Sequence, residues 1–137
     1  MIVIDASSLI KYILREDGWK DISYFIRERR PLYSVDHLVK EVGNAIWKHC
    51  SLHKIIDKKS ALKLYDGLKI LLKTEVIIIE PESDYLDEAL QLALRHGITL
   101  YDSLYLVQAE KHGEILTSDK KQAGIAERLG IRVHLVL

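Results

Sequence analysis

Short apolar, β-branched runs alternate along this chain with segments whose apolar residues recur at helical spacing. The runs are Ile2–Ile4, Leu32–Val35, Val76–Ile79, Ile115–Thr117 and Val133–Val136. After the first, the pattern predicts a helix through Leu9 to Leu14 that breaks at Gly18, then a second from Trp19 to Arg29. Asp36 is the expected cap of a long helix reaching about His53, with Leu38, Val42, Ala45, Ile46 and His49 on one face. Asp57 caps the next, whose apolar stripe is Ala61, Leu64, Tyr65, Leu68, Leu71 and Leu72. Val76–Ile79 reads as a strand buried on both faces and ended by Pro81. Further helices are expected from Ser83 or Asp84 to Gly97, over 102–112 up to Gly113, and from Lys120 to Leu129 before Gly130. Strands that alternate with helices specify an α/β fold, a central parallel β-sheet flanked by α-helices.

At 137 residues, 1–137 is expected to form one domain with a core of its own. No apolar stretch approaches the ~20 residues that span a bilayer, and the opening run lacks a charged leader region, so no membrane partner is expected. The single cysteine, Cys50, excludes an internal disulfide and fits a reducing, cytoplasmic location. Cys50 lies mid-helix with no activating partner in view, which reads as packing. Formal net charge is zero, so no global basic field advertises nucleic acid. The clusters Arg27, Arg29 and Arg30, Lys54, Lys58 and Lys59, and Lys120 and Lys121 read mainly as solvated helix faces.

Four acids stand out against this frame. Asp5 ends the first strand and Asp119 follows the fourth, where ligands of parallel sheets bind beyond the carboxyl ends of the strands. Glu41 lies at the border of the apolar face of its helix and points partly inward, and Asp102 opens another helix. Each has a bland reading. Asp5 and Asp119 can cap the helices that follow them, and Thr99-Leu-Tyr-Asp102 has the spacing of a capping box. Together, with Ser7 and Thr117 beside the strand-end pair, they exceed what capping requires. Unpaired buried carboxylates are expensive, and a hard divalent cation such as Mg²⁺ or Mn²⁺ would neutralise them. The residues point to a metal-dependent enzyme.

The segments Val3-Ile-Asp-Ala-Ser-Ser-Leu-Ile10, Glu41-Val42, Tyr101-Asp-Ser-Leu-Tyr105 and Leu116-Thr-Ser-Asp119 resemble, in order and spacing, the successive motifs of PIN-domain ribonucleases. The compact form most like this chain is the VapC-type toxin of toxin–antitoxin pairs, and the resemblance runs from Ile2 to the last strand. It implies that Asp5, Glu41, Asp102 and Asp119 are a metal-binding catalytic quartet, with Ser7 and Thr117 in supporting positions. It also implies an RNA substrate, a small VapB-like antitoxin and a homodimer. Hydrolysis of an RNA phosphodiester by metal-activated water is the expected reaction.

Two other classes remain as alternatives: a non-catalytic PIN-like module that binds RNA or protein, and a receiver-like phosphotransfer domain. The second expects paired acids after the first strand, whereas Ala6 and Ser7 follow Asp5. Among other residues, His49 reads as a core or interface histidine, and Trp19 and Trp47 as partner contacts. Tyr105 is expected to pack inward with Leu106 and Ala109, which leaves Tyr101 as the substrate contact.

Overall fold

A computed structural model describes residues 1–137, and its five strands are β1 (Ile2–Ile4), β2 (Leu32–Val35), β3 (Ile77–Glu80), β4 (Glu114–Thr117) and β5 (Arg132–Leu135). Between them lie α1 (Ala6–Ile13), α2 (Trp19–Glu28), α3 (His37–Trp47), α4 (Lys58–Lys73), α5 (Leu86–His96), α6 (Leu100–His112) and α7 (Lys120–Arg128). All neighbouring strands pair in parallel, in the order β3-β2-β1-β4-β5. The chain begins at the centre of the sheet, steps outward through β2 and β3, and returns to the other side of β1 for β4 and β5. Strand order therefore reverses between β1 and β4, the point at which such sheets open a crevice. Ile4 is in register with Leu116, and the amide of Asp5 donates to the Leu116 carbonyl at 3.2 Å, so the residues just beyond these two strands meet.

The apolar pattern explains the core. Every residue of β1 is buried, as are Ile115, Leu116 and Thr117 of β4, and the helices bring Leu9, Ile22, Leu38, Leu68, Leu106 and Tyr105 against them. Each such side chain contributes on the order of 1.5–3 kcal/mol through burial. Gly18 is one position where only glycine fits. Its φ is +92°, and an added Cβ would stand 2.9 Å from the Leu137 carbonyl oxygen.

Three expectations need correction. Asp36 does not cap α3: its own backbone is already helical (φ −53°, ψ −42°), and its carboxylate accepts from the Glu82 amide at 3.0 Å, tying the β2–α3 corner to the segment after β3. The helix that follows is regular only to Trp47 and then widens into a π turn over Lys48–Leu52. The third concerns β3, an edge strand in which only Ile77 is fully buried, so its β-branched run marks a half-covered surface. Asp57 does cap α4, accepting from the Ser60 amide at 2.8 Å.

Candidate active site

The switch point is built from side chains that the strand ends cannot avoid bringing together. Asp5 is buried and is the N-cap of α1: its Oδ1 accepts from the Ser8 amide (3.1 Å) and from the Ser7 hydroxyl (2.6 Å). Its Oδ2 accepts from the Thr117 hydroxyl at the end of β4. The Ser7 hydroxyl in turn accepts from the Ser118 amide at 2.9 Å, and Ser8 and Ser118 hydroxyls meet at 3.0 Å. These bonds lace the ends of β1 and β4 and leave Asp5 one orientation. Burial still pushes its carboxyl up to about 6, against the bonds from Ser7, Thr117 and Ser8, and the charge of Asp119 adds to the rise.

Asp119 is also a cap. Its Oδ1 accepts from the amides of Lys121 (2.8 Å) and Gln122 (3.1 Å). Capping is thus correct for Asp5 and Asp119 and does not exhaust either, because only Oδ1 of Asp119 is engaged. At the start of α6 the capping box is half made: the Thr99 hydroxyl accepts from the Asp102 amide at 3.2 Å. The Asp102 carbonyl accepts from the Gln122 side chain at 2.9 Å, so its backbone is anchored on both sides. Burial raises the Asp102 carboxyl above the usual range, and the charges of Glu41 and Asp119 raise it further, opposed by Thr99 and Lys121.

Glu41, on α3, is held by a residue whose role sequence reasoning missed. Tyr105 is buried as expected, but its hydroxyl donates to Glu41 Oε1 at 2.9 Å. Burial, then the charges of Glu41, Asp5 and Asp102, push the ionisation of that hydroxyl far up, so it stays a neutral donor. Three of the four acids therefore act on one buried hydroxyl. His37 was also missed. It is buried one helical turn before Glu41, with Nε2 2.8 Å from Glu41 Oε1 and Nδ1 3.5 Å from Glu82 Oε2. Its ring packs against Tyr105 (4.7 Å) and Tyr101 (5.4 Å). The i, i+4 spacing of His37 and Glu41 is the signal that would have paired them.

Beside the acids, α3 and the first turn of α6 enclose a polar cleft of about 520 Å³, lined by His37, Lys40, Glu41, Asn44, Glu82, Thr99, Tyr101 and Asp102. Tyr101 stands at its rim, 61% exposed. The other residues singled out lie apart from this site. Trp19 packs near Tyr12 and beneath the Arg15 guanidinium, and Trp47 is exposed. His49 lines an apolar groove with Ile13, Leu14, Ile55, Ile56 and Leu64.

No three His, Cys, Asp or Glu side chains are arranged to hold a metal ion outright. The donor set nonetheless suits one. It consists of carboxylate oxygens, two of them held in a less acidic state than usual by burial and by one another's charge. Mg²⁺ takes few protein carboxylates and keeps several waters, so an open arrangement fits it.

A parallel α/β sheet with Asp5 and Asp119 at the strand ends of its switch point defines a class, and comparison with known proteins narrows it. Residues 2–128 match the PIN domain family. Ribonuclease VapC3 of Pyrobaculum aerophilum is 28% identical over 123 residues, which cover 89% of this chain and 92% of that protein. Exonuclease VapC9 of the same organism is 30% identical over 135 residues, covering 98% of this chain and 92% of the relative. The crystal structure of PAE2754 from Pyrobaculum aerophilum matches with a TM-score of 0.66 and 26% identity, over 94% of this chain and 98% of that one. This chain belongs to the PIN-domain family and is one of its VapC-type proteins.

Proposed function

We propose that this protein is a Mg²⁺- or Mn²⁺-dependent ribonuclease, the toxin of a toxin–antitoxin pair, acting in the cytoplasm with residues 1–137 as one nuclease domain. The observation that carries the reading is the mutual influence of the acids: Asp5, beyond β1 at the switch point, feels the charge of Asp119, and Asp102 that of Glu41 and Asp119, with Asp5 and Asp102 both raised by burial. When bound, a divalent ion would lower the pKa of its water and offset charge gathering on the phosphate oxygens. The chain's own part is positional. Ser7, Ser8 and Thr117 fix Asp5, and Tyr105 fixes Glu41. Asp5 and Asp102 are the direct ligands in this reading, while Glu41 and Asp119 complete the shell or orient water. The intact acids argue against a purely binding module, and the PIN-family match argues against a receiver-like phosphotransfer domain.

The test is cleavage of a labelled single-stranded RNA by the purified chain with Mg²⁺, with Mn²⁺ and with EDTA. Cleavage is expected only with metal. Robust cleavage in EDTA would overturn the metal-dependent mechanism.

The partners follow from the VapC-type resemblance, and the surface chemistry suggests how they would dock. A small VapB-like antitoxin would offer an Arg or Lys to the acids, a charge-assisted pair. An apolar segment of it would lie in the groove of Ile13, Leu14, Ile55, Ile56 and Leu64. For the homodimer, one exposed apolar face carries Trp47, Leu62 and Ile70 on α3 and α4. A better self-complementary face lies on α5, whose Leu86, Leu90 and Leu94 form an exposed stripe with Asp87 and Glu88 at one end and Arg95 and His96 at the other. Two copies paired antiparallel about a two-fold axis would set acid against base over leucine. Light scattering of wild type and Leu90→Asp reads this dimer, and co-expression with the antitoxin should yield an inactive complex.

A further inference from the structure

We propose that the cleft between α3 and the start of α6 is a nucleobase pocket, which holds the base next to the scissile phosphate and favours one carrying an exocyclic amino group. This rests on the nuclease reading for its position along the RNA, and on the cleft's own chemistry for its ligand.

His37, Lys40, Glu41 and Asn44 stand at i, i+3, i+4 and i+7, so they present one face of α3 to the cleft. Thr99, Tyr101 and Asp102 form the opposite wall and Glu82 closes one side. Glu41 and Asp102 belong both to this cleft and to the acid set, so an occupant abuts the reacting phosphate. At about 520 Å³ the space suits a small ligand such as a single nucleotide.

Two features make the occupant an aromatic, polar-edged ring. Tyr101 exposes 61% of its surface at the rim, while its neighbour Tyr105 is buried and committed to Glu41. Bases stack on such platforms regardless of identity. The polar lining then discriminates. Glu82 and Glu41 accept hydrogen bonds, and Asn44 can both donate and accept. Adenine, cytosine and guanine bring an amino group to such acceptors, whereas uracil's single donor, N3–H, is flanked by two carbonyl oxygens that carboxylates repel. Lys40 is the cation lining the cleft and is placed to meet a neighbouring phosphate. His37 braces the wall, since its ring nitrogens lie against Glu41 and Glu82 without an aligned hydrogen-bond partner.

The experiment has a binding arm and a cleavage arm. In the first, AMP, CMP, GMP and UMP are titrated into the protein without metal and followed by NMR and fluorescence. The three amino-bearing nucleotides should perturb Tyr101 and Asn44 and bind more tightly than UMP, and Glu82→Gln should flatten that order. In the second, short RNAs differing only at the nucleotide beside the cleaved bond are compared. Tyr101→Ala should raise KM about tenfold, with the loss on KM rather than kcat, and Tyr101→Phe should restore it because stacking needs only the ring. Wild-type affinity and KM in Tyr101→Ala would overturn the pocket while leaving the nuclease standing. Binding at Tyr101 without any cleavage would sustain the pocket as a nucleotide site and sink the nuclease reading. If nucleotides leave Tyr101 and Asn44 unperturbed, the pocket is refuted whatever the cleavage result.

Discussion

Two carboxylates stand at the carboxyl ends of parallel strands, Asp5 just beyond β1 and Glu80 as the last residue of β3, and their surroundings drive them in opposite directions. Each receives three hydrogen bonds. Glu80 Oε1 takes them from Gln108 (2.9 Å), Tyr85 (2.8 Å) and His112 (2.6 Å). Burial would raise the Glu80 carboxyl, but these donors and the His112 ring together hold it below the usual range. Asp5 is fully enclosed at the centre of the sheet beside Asp119, and its three donors do not overcome burial. Donor count is therefore not what separates a brace from a site. Depth and like charge are, and both come from the switch point, which Glu80 at the sheet edge does not share.

The sharpest way to break that comparison is to neutralise Asp5. Asp5→Asn should reduce metal-dependent RNA cleavage by at least about a hundredfold, the scale on which metal sites respond to lost partners, while leaving the metal-free melting temperature unchanged or higher. The sign follows from linkage. Asp5 has a folded-state pKa above its ordinary 3.8, so its contribution is full below that value and is lost as pH rises through about 6. The rise from 3.8 to about 6 corresponds to about 3 kcal/mol. Urea unfolding in EDTA should thus show stability increasing from pH 7 towards pH 5, and Asp5→Asn should flatten that slope. Glu80 has the opposite sign: its contribution is present above 4.5 and lost as pH falls through its lowered folded value. A wild-type slope that survives in Asp5→Asn would show that Asp5 is not the strained group.

Glu80→Gln probes the other side. It keeps the shape but weakens the acceptor for Gln108, Tyr85 and His112, and should cost about 2 kcal/mol of stability, read by urea unfolding. RNA cleavage per folded molecule should stay at the wild-type rate. If cleavage fell in step with that of Asp5→Asn, Glu80 would belong to the active centre and the contrast between the two strand ends would collapse.

Much of this was legible beforehand because it depends on local pattern. The alternation of short β-branched runs with helical spacing predicts all five strands and the parallel sheet, and strand ends followed by Asp place Asp5 and Asp119. What escaped depends on partners far along the chain. Asp36 has the residue type of a cap, but the Glu82 amide, brought over by the β2–β3 pairing, takes its carboxylate. His37 reads as an ordinary first residue of a helix, and its burial comes from Tyr101, Tyr105 and Glu82 on other elements. The Glu80 cluster joins β3, α6 and Tyr85, and no spacing announces it. The run Val76–Ile79 has the composition of a doubly buried strand yet lies at the sheet edge, because composition reports β preference and not position within the sheet.

The mildest change tests the link between the two kinds of carboxylate. Glu41 resembles Glu80 in accepting a tyrosine hydroxyl and resembles Asp5 in facing the other acids. Tyr105→Phe removes that hydroxyl and keeps the buried ring, so packing around Leu106 and Ala109 should survive. The expected cost is about 1 kcal/mol of stability. Cleavage should fall about tenfold, the lower end of the effect of losing a residue that orients a metal ligand. Because the loss comes from a Glu41 side chain free to swing, raising the Mg²⁺ or Mn²⁺ concentration should recover part of it. A metal titration of the variant checks this. An equal loss at every metal concentration would mean that the hydroxyl does not act by orienting Glu41 for metal.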